Sequence, residues 1–347
     1  MKAVLLRGPN DVLFDEIPVP KITDDEVLVE VKYCGICGSD VHAIPEAILY
    51  PPGTYLGHEF SGVITEVGKN VKGWQAGDRV VANPMYSCGR CEACLRGRHS
   101  ICDDGFKYAI AAQPGLEFAG AFAKYIKVSV PERRLYALPD GVDFEEGALV
   151  EPLAVCLHAV RMSSLKPVEN IVVLGAGCIG LGVIANARHA GAGKIIATEI
   201  LPRRTAAAKK LGADYVLNPK TEDIKERVLE ITGGCGVDIV FDCSGAVPAF
   251  QSAPAYLKRG GEIILTGIIT KEVPILPMDW SINEWRLQGT MCYYAEEFPM
   301  TINFLENKVA PVKEIISSVI KLDDIIEKGF KTLSNPDNDE IKILVEP

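Results

Sequence analysis

The sequence predicts an α/β protein in which a doubly wound parallel sheet follows a mostly-β domain. Three observations carry this expectation. At 347 residues the chain is longer than one hydrophobic core usually serves. Up to about residue 130 it reads as short strands punctuated by glycine and proline. Beyond about residue 150, short apolar runs alternate with helical stretches. The expected division is 1–153 for the first domain, 154–294 for the second, and 295–347 returning to complete the first.

Taken in order, Val27, Val29 and Val31 alternate with polar neighbours, as on a half-buried strand, and 61–67, 79–82 and 122–130 read alike. The apolar run 171–174 leads through a glycine turn into a helix reaching about residue 190. Strand 194–198, helix 202–211, strand 215–217 and helix 222–231 follow, then strand 237–242, helix 249–258 and strand 261–266. Such alternation requires parallel βαβ units with right-handed crossovers. The tail reads as a helix at 299–307, a strand near 314–319, a helix at 323–333 and a last strand at 341–345.

Hydrophobic residues at 48% and charged residues at 24% are a globular balance, and a net charge of −10 argues against nucleic acid or an anionic membrane as partner. No apolar run approaches the ~20 residues that span a bilayer. At the N-terminus Arg7, Gly8 and Pro9 cut short anything resembling a signal peptide. A cytoplasmic protein acting on a small molecule is the expectation. In that compartment its eleven cysteines serve as thiols or metal ligands rather than disulfides.

Gly175, Gly177 and Gly180 follow a predicted strand and open a predicted helix. The first glycine allows the tight turn, the second lets backbone approach a pyrophosphate, and the third lets helix pack on strand. The helix N-terminus adds N–H donors and a positive dipole. Glu199, 24 residues after Gly175, is placed to accept from ribose hydroxyls and to repel a 2′-phosphate, favouring NAD over NADP. Arg203 and Arg204 keep NADP open, and the alternative for Glu199 is a solvated strand end. Gly175, Gly177, Ile179, Gly180, Glu199 and Arg204 form the expected cofactor-binding set.

Two metal sites are suggested. Cys88, Cys91, Cys94 and Cys102 have the spacing C-x2-C-x2-C-x7-C, which closes a tetrahedral Zn²⁺ shell with no open position. Such a centre is structural, with an iron–sulfur cluster as the alternative. The second set is dispersed: Cys37, His58 and Glu59 offer a thiolate, an imidazole and a carboxylate, with one position left for water or alcohol. Cys34 reads as a buried strand residue, and Cys156, Cys178, Cys235, Cys243 and Cys292 as small apolar fillers.

The segments Gly35–His42, Gly57–Gly62, Ala76–Val80, Glu151–Val155 and Gly175–Gly180, together with the four-cysteine lobe at about 86–103, resemble the zinc-containing medium-chain alcohol dehydrogenase superfamily over essentially the whole chain. The resemblance implies a GroES-like catalytic domain, a Rossmann NAD-binding domain and an active site in the cleft between them. It implies one catalytic and one structural zinc, and a homodimer or homotetramer. On matching positions Cys37 and His58 ligate catalytic zinc, with Glu59 a direct or alternating ligand. Glu151 stands where many relatives carry cysteine, as in the sorbitol, threonine and 2,3-butanediol dehydrogenase branch, and either ligates the metal or holds its water. Ser39 receives the alcohol proton and His42 relays it, the alternative for His42 being a plain helix-face residue.

The implied reaction moves hydride from a small secondary alcohol or vicinal diol to NAD, reversibly. Tyr50, Tyr55, Phe106, Tyr108, Phe118, Trp280, Tyr293 and Tyr294 are candidate pocket residues, each open to being core or interface instead. Tyrosine at 293 and 294, where sorbitol dehydrogenases tend to carry arginine, leans towards 2,3-butanediol or acetoin over a polyol.

Overall fold

A computed structural model describes residues 1–46, 50–85, 87–104, 120–335 and 337–347 of the chain. It divides into two compact units, one of residues 1–151, 293–308 and 316–347, the other of 152–292 and 309–315.

The first unit begins with β1 (Lys2–Gly8), β2 (Asp11–Glu16), β3 (Glu26–Gly35), β4 (Thr54–Tyr55) and β5 (Glu59–Val67). It continues through β6 (Arg79–Ala82), β7 (Tyr125–Ser129) and β8 (Leu135–Ala137). β1 lies between β2 and β4 in a small antiparallel sheet. β3 organises the larger sheet, pairing antiparallel with β5 and β7. Val27, Val29 and Val31 are buried, in one apolar cluster with Phe60, Ile64 and Phe122. The β3–β5 register sets Gly35 opposite Glu59. Two motifs about twenty residues apart in sequence thereby end side by side.

The second unit holds β9 (Ile171–Leu174), β10 (Ile195–Thr198), β11 (Tyr215–Leu217), β12 (Val237–Asp242), β13 (Leu257–Leu265) and β14 (Arg286–Gly289). All pairings are parallel, in the order β11-β10-β9-β12-β13-β14. This is the doubly wound dinucleotide-binding order, reversing between β9 and β12. Every residue of β9 and β10 is buried, which is why these strands read as continuous apolar runs rather than alternations.

β15 (Ile316–Lys321) and β16 (Lys342–Glu346) return to the first unit, where β16 pairs with β3. The return is interrupted, because residues 309–315 group with the second unit. Val312 and Ile315 are buried there, and Glu314 pairs with Lys210 at 2.9 Å.

Three local expectations need correction. The helix expected over 249–258 is Val247–Ser252 followed by a 3-10 turn Ala253–Tyr256, because Pro254 has no N–H to continue the ladder. The stretch 323–333 is a 3-10 turn, a π-helix Ile325–Phe330 and a short α-turn Lys331–Ser334. The helix Pro277–Asn283 and strand β14 were not anticipated. Among the described residues, no helix is long and apolar enough to cross a membrane.

Candidate active site

Four thiols of the first unit meet around the short helix Glu92–Leu95: Cys88 and Cys91 precede it, Cys94 lies within it and Cys102 follows it. Cys88 Sγ lies 3.9 Å from Cys94 Sγ, and Cys91 Sγ 4.0 Å from Cys102 Sγ. Zn–S bonds of about 2.3 Å in a tetrahedron give S···S edges of about 3.8 Å, so the set fits zinc and is far too open for disulfides. Backbone N–H groups already point at sulfur: Cys88 N to Cys102 Sγ at 3.3 Å, Cys91 N to Cys88 Sγ at 3.3 Å and Cys94 N to Cys91 Sγ at 3.4 Å. The N–H groups of Arg90 and Cys91 hold the Cys88 thiol down at about 6, while burial pushes Cys94 up to about 12.

The second cluster forms where β3 leads into the helix Gly38–Glu46 and where β5 begins. Ligand atoms of Cys37, His58 and Glu59 all lie within 4.8 Å of one another. Burial alone would depress the His58 imidazole, but the negative charges of Asp40, Cys37 and Glu151 outweigh it and hold it well above the usual range. Thiolate, imidazole and carboxylate at this separation fit zinc.

Glu151, in the first turn of the helix Val150–Met162, stands outside that tight group. It acts on the group as a neighbouring charge. Burial pushes its carboxyl up to about 7 and Glu59 adds to the rise, against the lowering influence of His58 and of a hydrogen bond from Tyr293. Tyr293 is 1% exposed and packs edge-on against Phe298.

Around the cluster runs a set of hydrogen bonds. Ser39 Oγ is 3.0 Å from the Tyr50 hydroxyl, which is 3.4 Å from His58 Nδ1. Asp40, fully buried, accepts from the Cys37 N–H at 3.0 Å and lies 3.7 Å from His58 Nδ1. With Nδ1 facing Tyr50 and Asp40, Nε2 is left as the metal-facing nitrogen. Glu59 is held on its other side by Lys342, whose Nζ donates to both carboxylate oxygens at 2.8 and 2.6 Å. His42 is exposed on the helix Gly38–Glu46.

In the second unit the turn after β9 takes Gly175 at φ 85°, and a Cβ on Gly180 would sit 1.9 Å from Gly175 O. Gly177 caps the helix Cys178–His189, with Ile179 half-buried in its first turn. Glu199, at the end of β10, accepts from Ala176 N at 3.0 Å, Ile200 N at 2.7 Å and Leu201 N at 3.0 Å. It therefore ties the glycine turn to β10, and keeps acceptor capacity for a ribose hydroxyl. Arg204 is half-buried in the first turn of the helix Pro202–Leu211.

Residues 23–140 match the alcohol dehydrogenase GroES-like domain, and 178–307 the zinc-binding dehydrogenase domain. Sorbitol dehydrogenase of Bacillus subtilis (strain 168) is 35% identical across 100% of this chain and 97% of its own length. This chain belongs to the zinc-containing medium-chain alcohol dehydrogenase superfamily. The (R,R)-butanediol dehydrogenase of the same organism is also 35% identical, over 100% of both chains. An Escherichia coli oxidoreductase/dehydrogenase of unknown specificity has a TM-score of 0.91 at 32% identity, covering 99% of this chain and 98% of that one. A zinc-dependent alcohol oxidoreductase that uses a nicotinamide dinucleotide is what such an alcohol dehydrogenase is, and the fold is the Rossmann and GroES-like pair.

Tyr50, Asp40 and Lys342 were not assigned these contacts from sequence. The available signal for Lys342 was a lysine enclosed by Ile341 and Ile343 in an apolar terminal strand. Phe106, Tyr108 and Phe118 lie outside the described residues. Cys235, expected as an apolar filler, is exposed in the turn before β12.

Proposed function

We propose that the protein interconverts a small secondary alcohol or vicinal diol, of the 2,3-butanediol/acetoin type, and its ketone, with NAD as hydride acceptor. The reading rests on the Cys37, His58 and Glu59 cluster standing beside the Ser39–Tyr50–His58 hydrogen bonds. Cys37 and His58 would hold zinc, which would supply Lewis-acid polarisation of the alcohol oxygen, and a bound nicotinamide would supply the hydride acceptor. Ser39 Oγ, fixed by Tyr50, receives the alcohol proton, and His42 carries it towards water. Glu59 and Glu151 would supply the carboxylate, either as a metal ligand or as a hydrogen-bond acceptor beside the metal. Cys88, Cys91, Cys94 and Cys102 hold a second, structural zinc.

Two zinc ions per subunit are the expected result of elemental analysis, and mild chelation should remove one together with activity. Active enzyme free of zinc would end the proposal.

NAD is favoured because the Glu199 carboxylate stands at the end of β10, with Gly175, Gly177, Ile179 and Gly180 lining the turn. Arg204 is the residue through which NADP would be tolerated. The diol reading rests on Tyr293, a neutral hydroxyl beside Glu151 where a guanidinium would favour several polyol hydroxyls. A sorbitol-like polyol is the second reading, favoured by the 35% identity to a sorbitol dehydrogenase. A panel of diols and polyols, each with NAD and NADP, decides between them by kcat/KM. Sorbitol exceeding 2,3-butanediol would reverse the assignment.

A cytoplasmic protein is proposed, in which the cysteines serve as thiols or metal ligands rather than disulfides. A homodimer or homotetramer is proposed, assembling through the second unit.

A further inference from the structure

One cavity of the first unit is lined by none of the metal-cluster residues. Ser87 and His99 face it from the four-cysteine lobe, and Arg133 and Arg134 from the short helix Pro131–Arg134. Asn83 and Tyr293 are among its other walls. The lining thus holds two guanidinium groups and no carboxylate. At about 30 Å³ the cavity suits one small ion, or a single charged group, rather than a whole dinucleotide.

Two of these groups lack partners. Among the described residues, the Arg133 guanidinium makes no hydrogen bond or ion pair. Acids are not scarce in a chain with 46 of them against 36 lysines and arginines, yet none reaches this side chain. Arg133 Nη1 comes within 3.9 Å of where a Cβ on Gly89 would stand, so the guanidinium is turned towards the lobe. His99 Nδ1 is enclosed and has no hydrogen bond among the described residues either. An enclosed nitrogen left unpaired carries its desolvation cost, which a bound partner would recover. The backbone leading into the helix is strained as well. Val130, also on the cavity wall, has φ 48°, a left-handed conformation that crowds a β-branched side chain. Such strain persists where the surroundings over-determine it, and it gathers at ligand clamps.

We infer that this cavity binds a tetrahedral oxyanion, phosphate or sulfate, free or as the terminal group of a small metabolite, with Arg133 and His99 as its donors. A guanidinium presents parallel N–H groups that match two oxygens of such an ion, which an ammonium cannot do. His99, in the tautomer with hydrogen on Nδ1, donates to a third oxygen, and the Ser87 hydroxyl rotates to the one that remains. A water would satisfy His99 but would leave the Arg133 charge uncompensated. The dinucleotide turn at Gly175–Gly180 belongs to the second unit, so this is a separate anion site.

The test uses full-length enzyme saturated with NADH, which fills the dinucleotide turn so that its own attraction for phosphate does not register. Isothermal titration with inorganic phosphate at constant ionic strength should show one saturable site per chain, and sulfate should compete for it. Arg133→Gln should weaken binding by at least about tenfold, because a charge-assisted two-pronged contact is lost. Arg133→Lys should fall between, keeping the charge without the fork. His99→Phe should cost about threefold or more, the scale of one hydrogen bond. Should that variant fail to fold, Arg133→Gln decides alone, since its side chain is exposed. Glycerol phosphate separates the two sources: tighter binding than inorganic phosphate identifies the terminal group of a metabolite, and weaker or equal binding the free ion. Absence of saturable binding in NADH-loaded wild type, or binding untouched by Arg133→Gln, overturns the site. Binding lost in Arg204→Gln instead would place the ion beside the cofactor and overturn it equally. Zinc lost from Arg133→Gln, with no phosphate bound by wild type, would show that the guanidinium serves the thiolate lobe alone.

Discussion

Ser39 and His42 stand three residues apart on the helix Gly38–Glu46, so they share a face. Ser39 is half-buried and hydrogen-bonded to Tyr50 while His42 is exposed, which sets a partly enclosed hydroxyl and a solvent-facing imidazole on one helix face. His42→Gln should slow oxidation by about tenfold near neutral pH and less at high pH, where hydroxide substitutes; full general acid–base effects of ~10²–10⁴ are reduced when water can bypass a relay. Single-turnover pH–rate profiles of both proteins test this, and superimposable curves leave His42 outside the reaction. Tyr50→Phe removes the hydroxyl that faces both Ser39 Oγ and His58 Nδ1, hydrogen bonds worth roughly 1 kcal/mol each, and should lower kcat/KM about 3- to 10-fold with zinc content unchanged. A loss of zinc in that variant would show Tyr50 to be needed for the metal site itself. Cys37 and His58 were legible because their motifs carry the ligand types in fixed local frames. Tyr50 and Lys342 were not, since each acts through a partner set by folding: Lys342 and Glu59 are 283 residues apart.

At the scale of elements, the dinucleotide turn shows how little space separates β9 from the helix Cys178–His189. A methyl at position 180 would meet the Gly175 carbonyl at 1.9 Å, which is backbone and cannot rotate away. Gly180→Ala should therefore shift the helix and weaken NADH binding by at least about tenfold, or ~1.4 kcal/mol. Fluorescence titration measures the affinity. Zinc content should stay at the wild-type value, because both thiolate sites belong to the other unit. Unaltered affinity would remove the turn from the cofactor site. The strands of this unit were readable because buried parallel strands are short, uniformly apolar and separated by helices. β14 escaped notice for the opposite reason: Arg286, Leu287 and Gly289 are exposed, and the strand has one neighbour. Proline shortened the helix expected at 249–258, and the π-helix Ile325–Phe330 has no signature in a 3.6-residue pattern.

For the molecule as a whole, that same edge strand raises the question of assembly. β14 ends the six-stranded sheet with one side of its backbone unpaired by the sheet, a feature proteins normally cover or guard. Guarding is weak here. Leu287 on the strand is 46% exposed, and beside it in sequence the helix Pro277–Asn283 buries none of its residues. Leu276, Met278 and Ile282 are 59%, 62% and 59% exposed, too much apolar surface in one stretch to be the ordinary scatter of a monomer. A second copy of the same edge would pair with it about a two-fold axis and cover these side chains, the commonest closed symmetry for such chains. The protein should therefore run in light scattering at twice 37.6 kDa or more at micromolar concentration. Leu287→Lys combined with Met278→Lys places like charges at the axis and should produce monomers, while Leu95→Lys, on the four-cysteine lobe at 75% exposure, should leave the mass unchanged. A wild-type monomer, or an undisturbed oligomer in the double variant, would assign the exposed apolar surface to something other than self-association.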